Sequence, residues 1–169
     1  NGSDFSWLDK FDGKICTVYV TALNAKSSSA GCVWRFLPID VKDEGFKPSS
    51  EIKMHLRVYK ERPDVNSVVH AHPMYATGFA IAGIPLTEPV MPEAIIQLGC
   101  VPIAEYGTPS TEEIPDAVSR YLQHYDAVLL ENHGALAFSD SLLNAYHKME
   151  SVEFYAQLLF IAKMLGGPK

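Results

Sequence analysis

Ser67-Val-Val-His-Ala-His-Pro73 sets two imidazoles two residues apart inside an apolar, β-favouring run, a combination that predicts a strand. Side chains alternate across a strand, so His70 and His72 share the face of Val68 while Val69 and Ala71 take the other. Two ligands on one strand are fixed relative to each other before an ion arrives, which lowers the ordering cost of binding. A third histidine stands far along the chain in Glu131-Asn-His-Gly134, a glycine turn out of the wholly apolar Ala127-Val-Leu-Leu130. Three neutral nitrogen donors suit a catalytic divalent ion that must keep one coordination position open. His70, His72 and His133 are therefore the candidate ligands. His55, His124 and His147 are read as packed or surface residues, and Cys16, Cys32 and Cys100 as small core residues.

Outward from the histidine strand, Pro48 stops an extended chain and Ser49 or Ser50 can cap a helix. Ile52, Leu56 and Tyr59 fall at helical spacing until Arg62-Pro-Asp64 ends the run. After the strand the pattern predicts a helix over 76–82, a turn at Gly83-Ile-Pro85, a short helix from Glu93 to Leu98 and a strand from Gly99 to Ala104. Ser110-Thr-Glu-Glu113 has the spacing of a capping box before a helix reaching about Gln123. Ala135-Leu-Ala-Phe138 continues extended, and a last helix begins at Ser141 and stops at Gly166-Gly-Pro168. Before residue 48, Ile15–Val20 and Cys32–Leu37 look like strands of a small antiparallel region. No repeat, low-complexity tract or linker interrupts the sequence.

With 14 Lys and Arg against 20 Asp and Glu, the formal charge is −6, which argues against nucleic acid or an anionic membrane as partner. No apolar run approaches the roughly 20 residues of a membrane span, and there is no leader-like start. The three cysteines form no C-x-x-C pair and cannot all be bridged within one chain. A cytoplasmic location is expected on those grounds. Asn1-Gly2-Ser3 matches a glycosylation sequon, but a pattern so short arises by chance.

Ser49-Ser50-Glu51 is the second constellation. Two hydroxyls at a helix start, backed by free backbone N–H groups and the positive end of the dipole, make a cradle for phosphate or carboxylate, against the plainer alternative of a simple cap. Glu51 in that first turn can reach a metal or a substrate proton, the position of a general base. Lys53 and Arg57 follow on the same helix and are read as solvated.

Together, Pro48-Ser-Ser-Glu51, Arg62-Pro-Asp64, His70-Ala-His72, Gly83-Ile-Pro85, Tyr106-Gly-Thr108, Asn132-His-Gly134 and Glu150-Ser-Val-Glu-Phe-Tyr-Ala156 resemble the class II aldolase/adducin family, over Ser49 to Leu165. The resemblance implies an α/β fold. It would be a layered α/β/α single domain over residues 1–169 with a central, mainly antiparallel sheet and an N-terminal part that is atypical or truncated. It implies that His70, His72 and His133 hold Zn2+ or another divalent ion such as Mn2+, Co2+ or Fe2+, that Glu51 is the catalytic acid/base, and that Ser49 and Ser50 bind substrate phosphate. The expected function is that of a metal-dependent lyase, cleaving or forming a carbon–carbon bond of a small ketose phosphate or related keto compound through a metal-stabilised enediolate. Decarboxylation or dehydration on the same scaffold, iron-dependent oxygenation, and a non-catalytic adducin-like assembly module are the alternatives. The expected partner is a small phosphorylated or carboxylated molecule, and the expected assembly a homotetramer. Where sugar-phosphate members supply a tyrosine proton donor, Thr87-Glu-Pro-Val90 offers proline and glutamate, and Tyr106 is the substitute candidate. The N-terminal region lacks the Gly-Asn-x-Ser loop and the Thr-Pro-Ser-Gly-like turn that complete the family's phosphate pocket.

Overall fold

The structure is a computed structural model that describes residues 50–168 and, before them, the backbone of two strands, β1 (Cys16–Val20) and β2 (Arg35–Pro38). The remaining elements are α1 (Ile52–Glu61), β3 (Ser67–Ala71), α2 (Met74–Ala82), α3 (Pro92–Gln97), β4 (Ile103–Ala104), α4 (Glu113–Ser119), β5 (Ala127–Leu130), β6 (Gly134–Ser139) and α5 (Leu142–Met164). The strands form one sheet in the order β2-β1-β3-β6-β5-β4. The pairs β1–β2, β3–β6 and β5–β6 are antiparallel, whereas β1–β3 and β4–β5 are parallel. The antiparallel majority is as expected. The two N-terminal strands, however, extend the main sheet rather than forming a small region of their own, because β1 takes the open edge of β3.

Period-two alternation sorts the strand side chains between two cores. Val69, Ala71, Ala127, Leu129, Ala135 and Ala137 pack with α2, α3 and α5, while Val68, Val128, Leu130, Leu136 and Phe138 pack with α1 and α4. A sheet covered on both faces needs apolar residues at every position, which is why Ala127–Leu130 reads as an unbroken apolar run. On α5, Ala145, Met149, Val152, Ala156 and Leu159 are buried and recur at helical spacing as the stripe that seats the helix. Each large apolar side chain so buried contributes about 1.5–3 kcal/mol.

Three expected elements are shortened or shifted. Of the strand expected over Gly99–Ala104, only Ile103 and Ala104 pair in a ladder, with Val101 in an isolated bridge to Leu86; Pro102 has no N–H and interrupts the pairing. The helix expected to reach Gln123 ends at Ser119. The chain beyond it turns, and the Arg62 guanidinium donates to the carbonyls of Leu122 (2.7 Å) and Tyr125 (3.4 Å). The capping box does not form: α4 has Glu112 at its N-cap with no side-chain capping bond, and instead Thr111 Oγ1 accepts from the Glu113 N–H (3.1 Å) while the Glu113 carboxylate accepts from the Thr108 N–H (2.7 Å).

Arg62 also forms a bidentate pair with Asp64 (2.7–2.8 Å) and reaches Asp126 at 3.0 Å, with its guanidinium over the Phe138 ring. It ties the start of β3, the exit of α4 and the entry to β5 at one end of the sheet. Every candidate ligand lies at the other end.

Candidate metal centre

The C-terminal end of β3 meets the N-terminal end of its antiparallel neighbour β6, and the β5–β6 turn closes beside them. His70 and His72 therefore come to the same sheet edge as His133. His70 shares the face of Val68, as alternation requires, and His72 lies one residue past the end of β3. Asn132 adopts φ +57° in the turn, a left-handed conformation that asparagine tolerates better than most residues, and the His133 N–H bonds back to Leu130 O at 3.0 Å. Gly134 has no such φ requirement. Its backbone runs so close to β3 that a Cβ there would stand 2.5 Å from both Ala71 O and His72 Cδ2. The glycine of Asn132-His-Gly134 is thus a close-approach glycine, and it is what lets His133 reach the β3 histidines.

The ligand atoms of His70, His72 and His133 all lie within 4.8 Å of one another, with ring centroids 4.8–4.9 Å apart. His70 Nδ1 is 2.9 Å from Ala135 O. A carbonyl only accepts, so Nδ1 carries the proton and Nε2 keeps its lone pair for the cluster. That Nε2 lies 3.1 Å from His72 Nε2, close to the roughly 3.3 Å that two nitrogens subtend around a tetrahedral zinc. His70 is buried, His133 half-buried and His72 exposed, so the cluster opens to solvent on the His72 side. Burial, then the neighbouring His133 and His55 rings, push the His70 imidazole down to about 3, and burial followed by His133 lowers His72. Both rings are neutral at pH 7, with lone pairs free to bind. The buried His133 Nδ1 has no hydrogen-bond partner. Such a nitrogen is costly unless something polar or cationic meets it. Donor type, tautomer, spacing and this orphan atom all fit a divalent ion held by imidazoles.

Glu51 occupies the N-cap position of α1, half-buried, with no side-chain capping bond. Its negative charge raises the His72 pKa, opposing the larger effects, so the carboxylate stands near the cluster. Ser50 is exposed in the turn before it and does not cap α1, contrary to expectation; Ser49 lies outside the described residues. Tyr106 follows β4 and is 57% exposed, and its N–H donates to the Glu131 carboxylate at 2.8 Å, two residues before His133. Lys53 pairs with Glu112, and Arg57 with Glu61 and Asp116. Both stay at the surface, as expected, and there tie α1 to the start of α4.

Two further residues were given no role at the centre by the sequence: His55, read as packed and found so, and Glu153, which stood only within the stretch 150–156. His55, fully buried on α1 with its ring 6.5 Å from His70, is held down to about 4 by burial, against a hydrogen bond with Val68. Glu153 of α5 accepts from the backbone N–H groups of Tyr75 (3.0 Å) and Ala76 (2.9 Å) at the start of α2. The available signal was a carboxylate next to the buried Val152 on α5.

A family model described as Class II Aldolase and Adducin N-terminal domain matches residues 17–160. Over 73% of this chain and 57% of the relative, the sequence is 36% identical to 5-deoxy-D-ribulose 1-phosphate aldolase of Bacillus thuringiensis serovar kurstaki. It is 31% identical to 3-oxo-tetronate 4-phosphate decarboxylase of Pectobacterium atrosepticum over 69% of this chain and 56% of that one. The solved structure of an L-fuculose 1-phosphate aldolase superposes with a TM-score of 0.68 at 39% identity, covering 72% of this chain and 57% of its own. The chain therefore spans under two thirds of the length of these relatives.

Proposed function

The chain belongs to the class II aldolase and adducin family, and we propose that it is a divalent-metal-dependent lyase that cleaves or forms a carbon–carbon bond in a small phosphorylated keto compound. The observation that carries this reading is the convergence of His70, His72 and His133 at one sheet edge, and the Glu51 charge acting on His72 supports it. A divalent ion, Zn2+ first among the candidates, would supply a Lewis acid for a substrate carbonyl.

The chain's own residues would do the rest. His70, locked by Ala135 O into the tautomer with a free Nε2, presents a preset donor that needs no reorganisation. Glu51 would take a proton from the substrate and return one, the carboxylate of an acid/base pair. Ser50, with Ser49, would receive the substrate's anionic group near the start of α1. Tyr106, held by Glu131, would be the second proton donor. The exposed His72 side is the open approach to the site. A homotetramer remains part of the reading, supported by exposed apolar side chains such as Met74, Ile96 and Phe154.

Decarboxylation of a phosphorylated 3-keto acid is the second reading, favoured by the Pectobacterium relative. It asks the same residues to favour the same kind of carbanion. Incubating the metal-loaded protein with ketose 1-phosphates and with 3-keto acid phosphates separates the two: an aldehyde plus a three-carbon ketone phosphate supports the lyase, and carbon dioxide the decarboxylase. Absence of turnover on both classes, with the metal bound, would remove both.

A further inference from the structure

We propose that Glu153 is a positioning residue for the metal centre: from α5 it clamps the first turn of α2 and thereby fixes the placement of His72. This rests on the assignment of the three histidines as metal ligands. His72 is the exposed member of the cluster, and it lies beyond the last residue of β3, so the strand ladder does not hold it. Pro73 follows at once and is the N-cap of α2, with no side-chain capping bond. Proline offers no N–H and no acceptor side chain, so the local sequence cannot satisfy the free donors of that first turn.

Glu153 does so from 78 residues away. Its two carboxylate oxygens accept separately, Oε1 from Tyr75 at 3.0 Å and Oε2 from Ala76 at 2.9 Å. These are the donors that a conventional capping side chain would engage, and the negative charge stands at the positive end of the helix. Val152 and Ala156 beside it are buried in the core between α5 and the sheet, so the carboxylate is mounted on a fixed support. Two directional bonds from a fixed helix pin the Pro73–Ala76 turn, and His72 is the residue that enters it. From the other side His72 is confined by Gly134, whose missing Cβ leaves room for its ring. Neither contact is made by the imidazole nitrogens, which stay available for an ion.

The test is metal affinity in the full chain, stripped with a chelator and titrated with Zn2+ against a chromophoric competitor, with Co2+ absorption as a second readout. Glu153→Ala should weaken Zn2+ binding by about 10- to 100-fold, the range seen when supporting partners of metal ligands are removed. Glu153→Gln, which keeps one carbonyl oxygen as acceptor, should give a smaller loss and remains informative if the alanine variant does not fold. The matched control is Ser141→Ala, which removes the cap of α5 itself, where Ser141 Oγ accepts from the Asn144 N–H at 3.3 Å, at the sheet end away from the histidines. It should lower stability and leave Zn2+ affinity and the Co2+ spectrum unchanged. Wild-type affinity in both Glu153 variants, or an equal loss in Ser141→Ala, overturns the positioning role. Failure of the wild-type chain to bind one ion would instead overturn the metal assignment, and the inference with it.

Discussion

Gly134→Ala is a one-carbon change whose sign decides whether close approach, not backbone freedom, explains that glycine. Gly134 is not among the residues with positive φ, so alanine is conformationally permitted, and restriction of the unfolded chain alone would raise stability by about 0.4–1 kcal/mol. The added Cβ would, however, sit 2.5 Å from Ala71 O and from His72 Cδ2. Restoring ordinary contact moves β6 or the end of β3 by about 0.9 Å, and overpacking of this kind costs about 1–3 kcal/mol. The net expectation is a loss of about 1–2 kcal/mol, once the gain from the stiffer unfolded chain is set against it. Because the obstacle includes the His72 ring, Zn2+ affinity should fall at least about tenfold as well, as supporting contacts of ligands do. Urea denaturation of the metal-free protein reads the first effect and competitive Zn2+ titration the second. An unchanged or higher urea midpoint together with wild-type affinity would refute the close-approach argument.

Glu51→Gln should retain one bound ion per chain while slowing turnover by about 10²- to 10⁴-fold, the usual share of a general acid or base; wild-type turnover would remove Glu51 from the chemistry. Acid should destabilise the metal-free protein through His55. Its folded pKa of about 4 lies below the ordinary 6.5, so the unfolded state binds more protons between those values and stability falls as pH drops from about 6.5 to 4. The His55 share of the drop corresponds to roughly 3 kcal/mol, beside a comparable share from His70, whose pKa is lowered to about 3, so His55→Leu should make that limb shallower without abolishing it in pH-dependent urea unfolding; an unaltered limb would show that His55 does not contribute to it. Arg62→Met should cost about 2–3 kcal/mol by leaving the carbonyls of Leu122 and Tyr125 without the guanidinium donor, Asp126 keeping Lys148 as its partner, while Zn2+ affinity stays unchanged, because Arg62 acts at the opposite end of the sheet. A matching loss of affinity would show the two ends to be coupled.

The features legible in the sequence were those with a strict local period or an unmistakable stop. Alternation placed His70 on the face of Val68, the wholly apolar Ala127–Leu130 read as a strand, and Gly166-Gly-Pro168 ended α5. What escaped were consequences of partners distant in sequence. Pro102 broke a strand whose composition looked favourable, because the cost of a missing N–H depends on where the neighbouring strand lies. The Arg62 guanidinium takes carbonyls beyond α4, where helical periodicity had seemed to continue. Gly134 reads locally as a turn residue, and only the packed sheet reveals it as a gap left for Ala71 and His72. Glu153 is a helix cap separated from its helix by nearly half the chain, and no local motif encodes such a cap. The two candidate serines illustrate a different point: a hydroxyl at a helix start reads locally as a cap or as an anion donor alike, and only the backbone shows that Glu51, not Ser50, holds the N-cap position of α1.

X-ray absorption at the metal edge of the Zn2+-loaded chain tests the central claim most directly. One ion per chain surrounded by three imidazoles is expected, with one imidazole lost in each of His70→Ala, His72→Ala and His133→Ala. No stoichiometric ion, or an imidazole count that stays the same when His133 is replaced, would contradict a centre assembled from β3 and the β5–β6 turn.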